Sequence, residues 1–492
     1  MAKTQQDWSA LAAQLQFEGR AFIDGAYCQT ANTFPCINPA TQQVLAAVSL
    51  CTDIEVNTAV RAARAAFNDQ RWAGLAPAAR KSILLRLAAL IREHADTLAL
   101  LETLDTGKPI SDALAVDIAG SAYCMQWFAE AIDKVAGEVV PVAGNMLGMV
   151  TREPVGVVAA VVPWNFPLLM SSWKIAPALA MGNSVILKPS EKSPLTAIYI
   201  AALAKTAGLP DGVLQVLPGA AETGRLLAEH LDVDCITFTG STAVGKAIMQ
   251  AAAQSNLKRV WLELGGKSAN IILADCADVS AAAAAAAGGI FYNQGEMCSA
   301  GSRVLVQRAI YSEFMAALQA AAKDYAPTNP LDPASKMGAI VDQIQYQKVL
   351  AWIDIGKQEA EWLGGGEAAH VATGWFITPA IFKASPSARI AREEIFGPVC
   401  TVIVFDTPDE AIAIANESEY GLAAAVWTRD LNTAHRMAKQ LRAGTVWINC
   451  YDEGGDMNLP FGGYKQSGNG RDKSLHALEK YTELKSTLIK LS

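Results

Sequence analysis

Long apolar runs are missing from this sequence. The smoothest one, Val155 to Pro163, is too short to span a bilayer and reads as a buried strand that ends at a proline. The opening segment, MAKTQQDWSALAAQLQ, has no apolar core followed by a small-residue cleavage site. A cytoplasmic protein with no membrane partner is therefore expected. No CxxC pair occurs among the nine cysteines, and an odd, scattered set points to reduced thiols. It excludes a disulfide framework and gives no zinc spacing, so no metal is expected. Runs of Lys and Arg interleaved with aromatics are also absent. With 40 basic against 48 acidic side chains and a net charge of -8, nucleic acid is not an expected partner. There is no internal repeat. Nor is there a GxGxxG, the usual dinucleotide fingerprint.

What is present is core-forming material: 51% of the 492 residues are hydrophobic. At roughly 150 residues per domain the length suggests two to four domains. The opening third carries helical periodicity over Glu55–Asp69 and Ala79–Leu98, with Thr52 and Asp53 as caps for the first helix. From about Gly156 short apolar strands alternate with Ala-rich helices. The strands are Val155–Val162, Ser184–Leu187, Leu214–Val216, Cys235–Phe238 and Asn270–Leu273, and the helices include Thr196–Ala207 and Thr223–His230. That alternation predicts an α/β fold with parallel sheet built from βαβ units. A second α/β segment follows Gly301, with strands at Val304–Gln307, Cys400–Phe405 and Ala423–Thr428. Thr328–Ser335 is a linker-like stretch, and Ala281–Ala287 is short low-complexity helix.

Two turns carry nucleotide-binding signals. In ITFTGSTAVGKAI a strand runs into Thr239, Gly240 and Ser241 before a helix starts. Backbone N–H groups at such a turn can hold a phosphate. Gly240 allows close approach, Ser241 adds a hydroxyl, and Gly245 permits tight packing on the first helical turn. The same residues also suit a plain capped helix with Ser241 as N-cap. In Leu187-Lys188-Pro189-Ser190-Glu191 a Lys and a Glu follow a strand end, where α/β folds bind cofactors. In isolation the better reading of the pair is a solvent-exposed turn.

Four further segments carry chemistry. Cys298, in FYNQGEMCSAG, is flanked by small residues that let a substrate approach, and a deprotonated thiol is a strong nucleophile. Glu263, in LELGGK, follows an apolar stretch; a partly desolvated carboxylate has a raised pKa and suits a general base. Asn165 lies between the prolines of PWNFP and, held rigid, can donate to an oxyanion; Lys174, eight residues beyond Phe166, would set the local field. Of the adjacent acids Glu393 and Glu394, one could hold a ribose. Each residue has a bland alternative as a buried thiol, a turn cap or a solvated acid. Together they support attack of the Cys298 thiolate on an aldehyde, an oxyanion held by Asn165 and the Cys298 N–H, and thioester hydrolysis through Glu263.

These residues and their motifs carry a resemblance over essentially the whole chain. PWNFP (Pro163–Pro167), KPSE (Lys188–Glu191), FTGS (Phe238–Ser241), ELGGK (Glu263–Lys267), QGEMCSAGSR around Cys298, EEIFGPV (Glu393–Val399) and PFGGYKQSGNGRD (Pro460–Asp472) occur in that order. Each is a modest signal, but the ordered set resembles the NAD(P)-dependent aldehyde dehydrogenase superfamily. The resemblance implies Cys298 as nucleophile, Glu263 as general base and Asn165 as oxyanion donor, with Lys174 supporting them. It implies that Lys188 and Glu191 hold the adenosine ribose, Ser241 meets the pyrophosphate and Glu394 binds the nicotinamide ribose. Pro163, Trp164, Phe238, Gly240, Gly245, Leu264, Gly265 and Phe396 join the cofactor set. The implied fold is a Rossmann-like cofactor domain (1–135 and 155–266) without GxGxxG and an α/β catalytic domain (267–466). A small β oligomerisation element (136–154 and 467–492) completes it, and a homodimer or homotetramer is expected. Where many relatives carry Glu after the Arg of the GxGR segment, this chain has Asp472, which is left out of the expected catalytic set.

The aldehyde is read from Cys450-Tyr451-Asp452-Glu453-Gly454-Gly455-Asp456, three acids in seven residues before PFGGYK. By resemblance this segment borders the aldehyde entrance, and an acidic mouth favours an ammonium-bearing substrate. Tyr451, Phe166 and Trp173 are expected as an apolar wall, with Met297 and Ser299 beside the thiol. GNGRDKSLHALEKYTELK is similar to the gamma-glutamyl-gamma-aminobutyraldehyde dehydrogenases of putrescine breakdown and to aminoaldehyde dehydrogenases. The alternatives are a broad-range aliphatic or 3-hydroxypropionaldehyde enzyme, a betaine aldehyde enzyme and a non-catalytic structural relative. Glu191 would repel a 2′-phosphate, so NAD is expected as cofactor, with NADP left open by the neighbouring Lys188.

Overall fold

Fully buried strands of β-branched and aliphatic residues build the first sheet. In a computed structural model, which describes residues 3–369, 371, 373–453 and 456–491, five parallel strands lie in the order Arg259–Glu263, Cys235–Thr239, Val157–Val161, Ser184–Lys188 and Leu214–Val216. The antiparallel strands Ala21–Ile23 and Ala26–Cys28 extend its far edge. Val157–Val161 and Ser184–Lys188 are buried at every position, as strands covered on both faces must be. The chain starts at Val157–Val161, steps outward on one side, then crosses back to Cys235–Thr239 on the other. This reversal opens a crevice at the strands' C-terminal ends, where open α/β sheets bind ligands.

The second sheet has the order Glu361–Gly364, Ala380–Lys383, Val399–Phe405, Arg303–Gln307, Ala269–Ile272, Ala423–Trp427 and Thr445–Ile448. Its strands are parallel except for the first, an antiparallel edge. A smaller antiparallel sheet joins Glu138–Val140, Met146–Pro154 and Thr482–Lys490. The molecule thus has the expected Rossmann-like sheet, a second α/β unit and a small β element. Among the described residues no helix is long and apolar enough to cross a membrane.

One expectation needs correction, and two strand regions were not anticipated. The helix expected over Ala79–Leu98 is two helices, Pro77–Glu93 and Ala95–Thr106. The break falls at His94, whose Nδ1 bonds the Tyr199 hydroxyl at 2.8 Å; this contact with another helix is invisible to local periodicity. Arg259–Glu263 is a strand, and it places Glu263 at a sheet's C-terminal edge. The N-terminal region also contains strands, including the pair Thr33–Ile37 and Val44–Ser49. Local capping was legible: Thr52 N-caps the helix Asp53–Asn68 in a capping box with Glu55, satisfying two helix-end donors.

Candidate active site

A cleft of about 700 Å³ lies at the crevice and is lined by Pro163, Trp164, Asn165, Thr239, Gly240, Ser241, Leu264, Gly265, Glu394 and Phe396, with Cys298 also in its wall. Pro163 to Asn165 follow one central strand, and Thr239 ends its neighbour with Gly240 and Ser241 following. Phe396, at φ 60°, sets its ring edge-on to Trp164 at 5.2 Å. Glu394 accepts the Gly266 N–H at 2.9 Å, and burial lifts its carboxyl to about 7. A Cβ at Gly265 would overlap the Glu394 carboxylate, so glycine is required for this close approach. Ser241 fulfils both readings. It borders the cleft, and its Oγ accepts the Val244 N–H at 3.4 Å as N-cap of Thr242–Gln254.

The other cofactor residues stand apart from this lining. Lys188, the last residue of the strand Ser184–Lys188, pairs at 3.5 Å with Glu191 just beyond it. Phe238 and Gly245, expected as contacts, lie behind the wall: the Phe238 ring fills the space beside Gly240, and Gly245 packs against Leu262 and Leu264. Both are packing residues because their positions face the sheet–helix interface. The structure also adds residues that sequence reading missed. Met170, Gln345 and Lys348 border the cleft. Gln345 and Lys348, three apart on the helix Gln343–Glu359, share one face, and Gln345 Nε2 donates to the Phe396 carbonyl at 2.6 Å. Their spacing was readable; that their helix docks here was not. A cleft with glycine-opened walls, an acid and a lysine fits a dinucleotide with ribose hydroxyls and a pyrophosphate.

The cysteine loop is held by strained turns. After the helix Val279–Phe291, Asn293 and Gln294 adopt φ 47° and 58°, followed by Gly295 at 72°. Such conformations cost non-glycine residues about 1–3 kcal/mol each and persist only where surroundings enforce them. Enforcement comes from side chains: Asn293 Nδ2 donates to the Asn165 carbonyl at 3.0 Å, and Gln294 Oε1 accepts the Gly338 N–H at 2.9 Å. Asn165 Nδ2 donates to the Glu296 carbonyl at 2.8 Å, which leaves its second amide N–H for another acceptor. Cys298 is half-buried, and enclosure, with the nearby charges of Glu394, Asp452 and Glu263, pushes its thiol up to about 12.

Glu263 is not part of the cleft lining. Its carboxylate faces Gly462 and Gly470 and has no hydrogen-bond partner among the described residues. Burial, then the charge of Asp472, holds its pKa well above the usual carboxylate range. Beside it Asp472 bridges two buried lysines, Lys174 and Lys480. Burial opposes its ionisation, but the two lysines keep its carboxyl below the usual range. Burial lowers Lys174. Asp472, omitted from the expected set, is therefore the centre of a buried charge cluster. Lys480 had no sequence signal. We expect Asp472→Ala to destabilise the fold by about 3–5 kcal/mol, because two buried ammonium groups lose their partner. A thermal unfolding midpoint equal to that of the unchanged protein would contradict this.

Two aromatic pairs involve residues expected in the substrate wall. Phe166 stacks near Tyr292 at 6.4 Å, and Trp173 meets Phe461 edge-on at 5.4 Å. Met297 and Ser299 are buried on either side of Cys298. Tyr451 corrects the expected wall: its hydroxyl donates to the Ser299 carbonyl at 2.6 Å, and its ring fills the space over Gly289 and Gly301. It supports the cysteine loop from beneath, since only glycine leaves room for it there. Of the acids, Asp452 accepts the Ser299 hydroxyl at 3.4 Å. Glu453 and Asp456 are exposed, and Asp456 accepts from the Asn458 N–H and amide at 2.8 Å. Gly454 and Gly455, between them, lie outside the described residues.

Comparison with known proteins places this geometry. The sequence model of the aldehyde dehydrogenase family matches residues 27–487. The chain is 53% identical to the NADP/NAD-dependent aldehyde dehydrogenase PuuC of Escherichia coli over 98% of each chain. It is similar to the crystal structure of a gamma-glutamyl-gamma-aminobutyraldehyde dehydrogenase from Burkholderia cenocepacia, with 64% identity, TM-score 0.99 and full coverage of both chains. An indole-3-acetaldehyde dehydrogenase of P. syringae, solved with NAD+, matches at 55% identity and TM-score 0.98, again over 100% of both chains.

Proposed function

Because this chain belongs to the aldehyde dehydrogenase family, we propose that its substrate is an aldehyde with an ammonium group at the far end, foremost gamma-glutamyl-gamma-aminobutyraldehyde from putrescine breakdown. The coarser activity is NAD(P)-dependent oxidation of an aldehyde through a cysteine thioester. The observation that carries the finer reading is Asp452, an acid hydrogen-bonded to Ser299, the residue next to Cys298. A carboxylate there attracts and pairs an ammonium. The name of the 64% identical Burkholderia enzyme supports the same choice.

In this reading the Cys298 thiol first gives its proton to a water molecule in the cleft, and the thiolate so formed attacks the aldehyde carbon. The free N–H of Asn165 and the Cys298 backbone N–H hold the oxyanion. Bound nicotinamide would supply a hydride acceptor, so that loss of hydride from the tetrahedral carbon leaves a thioester on Cys298. Glu263, its pKa raised, takes a proton from the water that hydrolyses the thioester, directly or across one intervening water. Lys174, tied to Asp472, holds the field around Glu263. Glu394, Lys348 and Phe396 would hold the nicotinamide end, Gly240 and Ser241 the pyrophosphate, and Lys188 and Glu191 the adenosine ribose, with NAD preferred. Residues 1–135 and 155–266 form the cofactor domain, 267–466 the catalytic domain, and 136–154 with 467–492 an oligomerisation element. Exposed Val139, Leu484 and Leu488 on that element support a homodimer or homotetramer.

Gly265→Ala tests the cofactor assignment. Its Cβ would displace the Glu394 carboxylate, and loss of one charge-assisted hydrogen bond should raise KM for NAD about tenfold. An unchanged KM would remove Glu394 from the ribose site.

The substrate is tested by kcat/KM over a panel, with NAD and NADP in parallel. The panel holds the gamma-glutamylated aldehyde, 4-aminobutyraldehyde, betaine aldehyde, propionaldehyde and indole-3-acetaldehyde. A tenfold preference for amino-bearing aldehydes, erased by neutralising Asp452, Glu453 and Asp456, is the expected result; tenfold is about 1.4 kcal/mol. Equal turnover of cationic and neutral aldehydes would leave a broad-range enzyme. The aromatic pairs Phe166–Tyr292 and Trp173–Phe461 favour a second reading, an aryl aldehyde, which predominant turnover of indole-3-acetaldehyde would establish.

A further inference from the structure

One ammonium group reaches two separate parts of the cofactor cleft. Lys192 stands just past the strand Ser184–Lys188 of the first sheet, on a loop whose Ser193 hydroxyl donates to the Trp164 carbonyl at 3.2 Å. Its Nζ lies 5.1 Å from the centre of the Trp164 ring and 2.7 Å from Asp342 Oδ2. Trp164 is in the cleft wall that follows the first sheet. Asp342 belongs to the side built on the second sheet. It is the N-cap of the helix Gln343–Glu359, which packs Val349 and Ile353 into the core under that sheet. The same helix carries Gln345 and Lys348 to the cleft.

The two oxygens of Asp342 do different work. Oδ1 accepts the Gln345 N–H at 2.7 Å and so caps the helix, while Oδ2 is left for Lys192. The start of the helix is already tied to its own side of the cleft. Val341 gives its N–H to Glu296 Oε1 at 3.2 Å, two residues before Cys298, and Gln345 Nε2 donates to the Phe396 carbonyl. Among the described residues, the Lys192–Asp342 pair is the one polar side-chain tie from this helix to the loop after Ser184–Lys188. Its side chains are 19% and 24% exposed, so water and salt compete with the pair less than they do at an open surface. The Trp164 face adds a second attraction for the same ammonium, tryptophan being the strongest ring for a cation.

We infer that Lys192 is a cofactor-positioning residue. By joining Trp164 to Asp342 it straps the helix that bears Gln345 and Lys348 to the opposite part of the cleft, and so slows the departure of the bound dinucleotide. The inference rests on the assignment of this cleft to NAD and is independent of which aldehyde is oxidised. Lys192 itself is absent from the cleft lining, so it acts through its two partners. A dinucleotide that meets the cleft with this helix docked only part of the time binds more weakly in that proportion.

The test times NADH leaving the protein, by stopped-flow fluorescence. It compares the unchanged protein with Lys192→Met, Lys192→Arg, Asp342→Asn and the double variant Lys192→Met/Asp342→Asn. Methionine keeps an apolar stem without the charge, and asparagine keeps the cap on Gln345 without the carboxylate. NADH should leave each of Lys192→Met and Asp342→Asn about fivefold faster, with Kd raised to match. The double variant should be no faster than either single one, as for two halves of one contact. Lys192→Arg should stay within about twofold of the unchanged protein, since a guanidinium can pair with the carboxylate and lie on the ring. In turnover the effect should fall on KM for NAD and not on KM for the aldehyde. In the cofactor-free proteins, amide hydrogen exchange over Gln343–Glu359 should be faster in Lys192→Met. Equal NADH dissociation from Lys192→Met and the unchanged protein overturns the inference, as do additive single effects or unchanged exchange in the helix. Failure of the unchanged protein to bind NADH would instead overturn the assignment of the cleft to the cofactor.

Discussion

Cys298→Ala is expected to lower kcat/KM for every aldehyde by on the order of 10⁴-fold or more, since removing a covalent nucleophile removes the reaction path itself. No neighbour replaces it: Met297 is a thioether, and the Ser299 hydroxyl is bonded to Asp452. NAD binding and the thermal unfolding midpoint should stay near those of the unchanged protein, because Cys298 is half-buried and its side chain supports no packing layer. The thiol is raised to about 12, so it is protonated at neutral pH and its thiolate fraction rises as pH rises. Alkylation of the free enzyme should therefore accelerate about tenfold per pH unit between roughly 7 and 9. The Cys298→Ala variant supplies the background from other thiols. Substantial aldehyde turnover by that variant would show that a different residue carries the chemistry.

Glu263→Gln should separate the two halves of the reaction. The amide keeps the shape of the side chain but cannot accept a proton. Thioester formation should continue once per site, and hydrolysis should fall by about 10²–10⁴-fold, the range for a positioned general base. Rapid mixing with NAD and aldehyde would then give a burst of NADH close to one per subunit, followed by slow turnover. The pH dependence has a definite sign. Burial and Asp472 raise the Glu263 pKa, so the carboxyl is protonated below that value and kcat falls as pH falls through it. The variant should lose that limb. Loss of the burst together with turnover would place Glu263 in acylation, not in hydrolysis.

Much of this site was legible because local chemistry is written locally. The strand Ser184–Lys188 announced itself as a buried apolar run, and Leu214–Val216 was read to the residue. Gly240 and Gly265 stood at turns where a side chain would collide with Phe238 or Glu394. Cys298, Asn165 and Glu263 could be proposed from residue type and flanking glycines or prolines. Their order along the chain then carried the family resemblance. The failures share a different origin. Tyr451 was expected to face substrate, but its ring fills the space over Gly289 and Gly301, some 150 residues earlier by numbering. Phe238 and Gly245 lie on either side of the right turn but pack behind it.

What the sequence determined by itself was the parallel α/β architecture, the turns that border the cleft, and the residue types able to do thiol, acid–base and oxyanion chemistry. These follow from patterns of two to four residues, which neighbouring backbone geometry reads directly. Only the tertiary structure decided that Lys174 meets Asp472 across 298 positions of chain, that the helix Gln343–Glu359 brings Gln345 and Lys348 to the cleft, and that Asp452 reaches the Ser299 hydroxyl. Those contacts depend on how separately folded layers dock, and side-chain burial and long-range charge pairing come into being only in that packing.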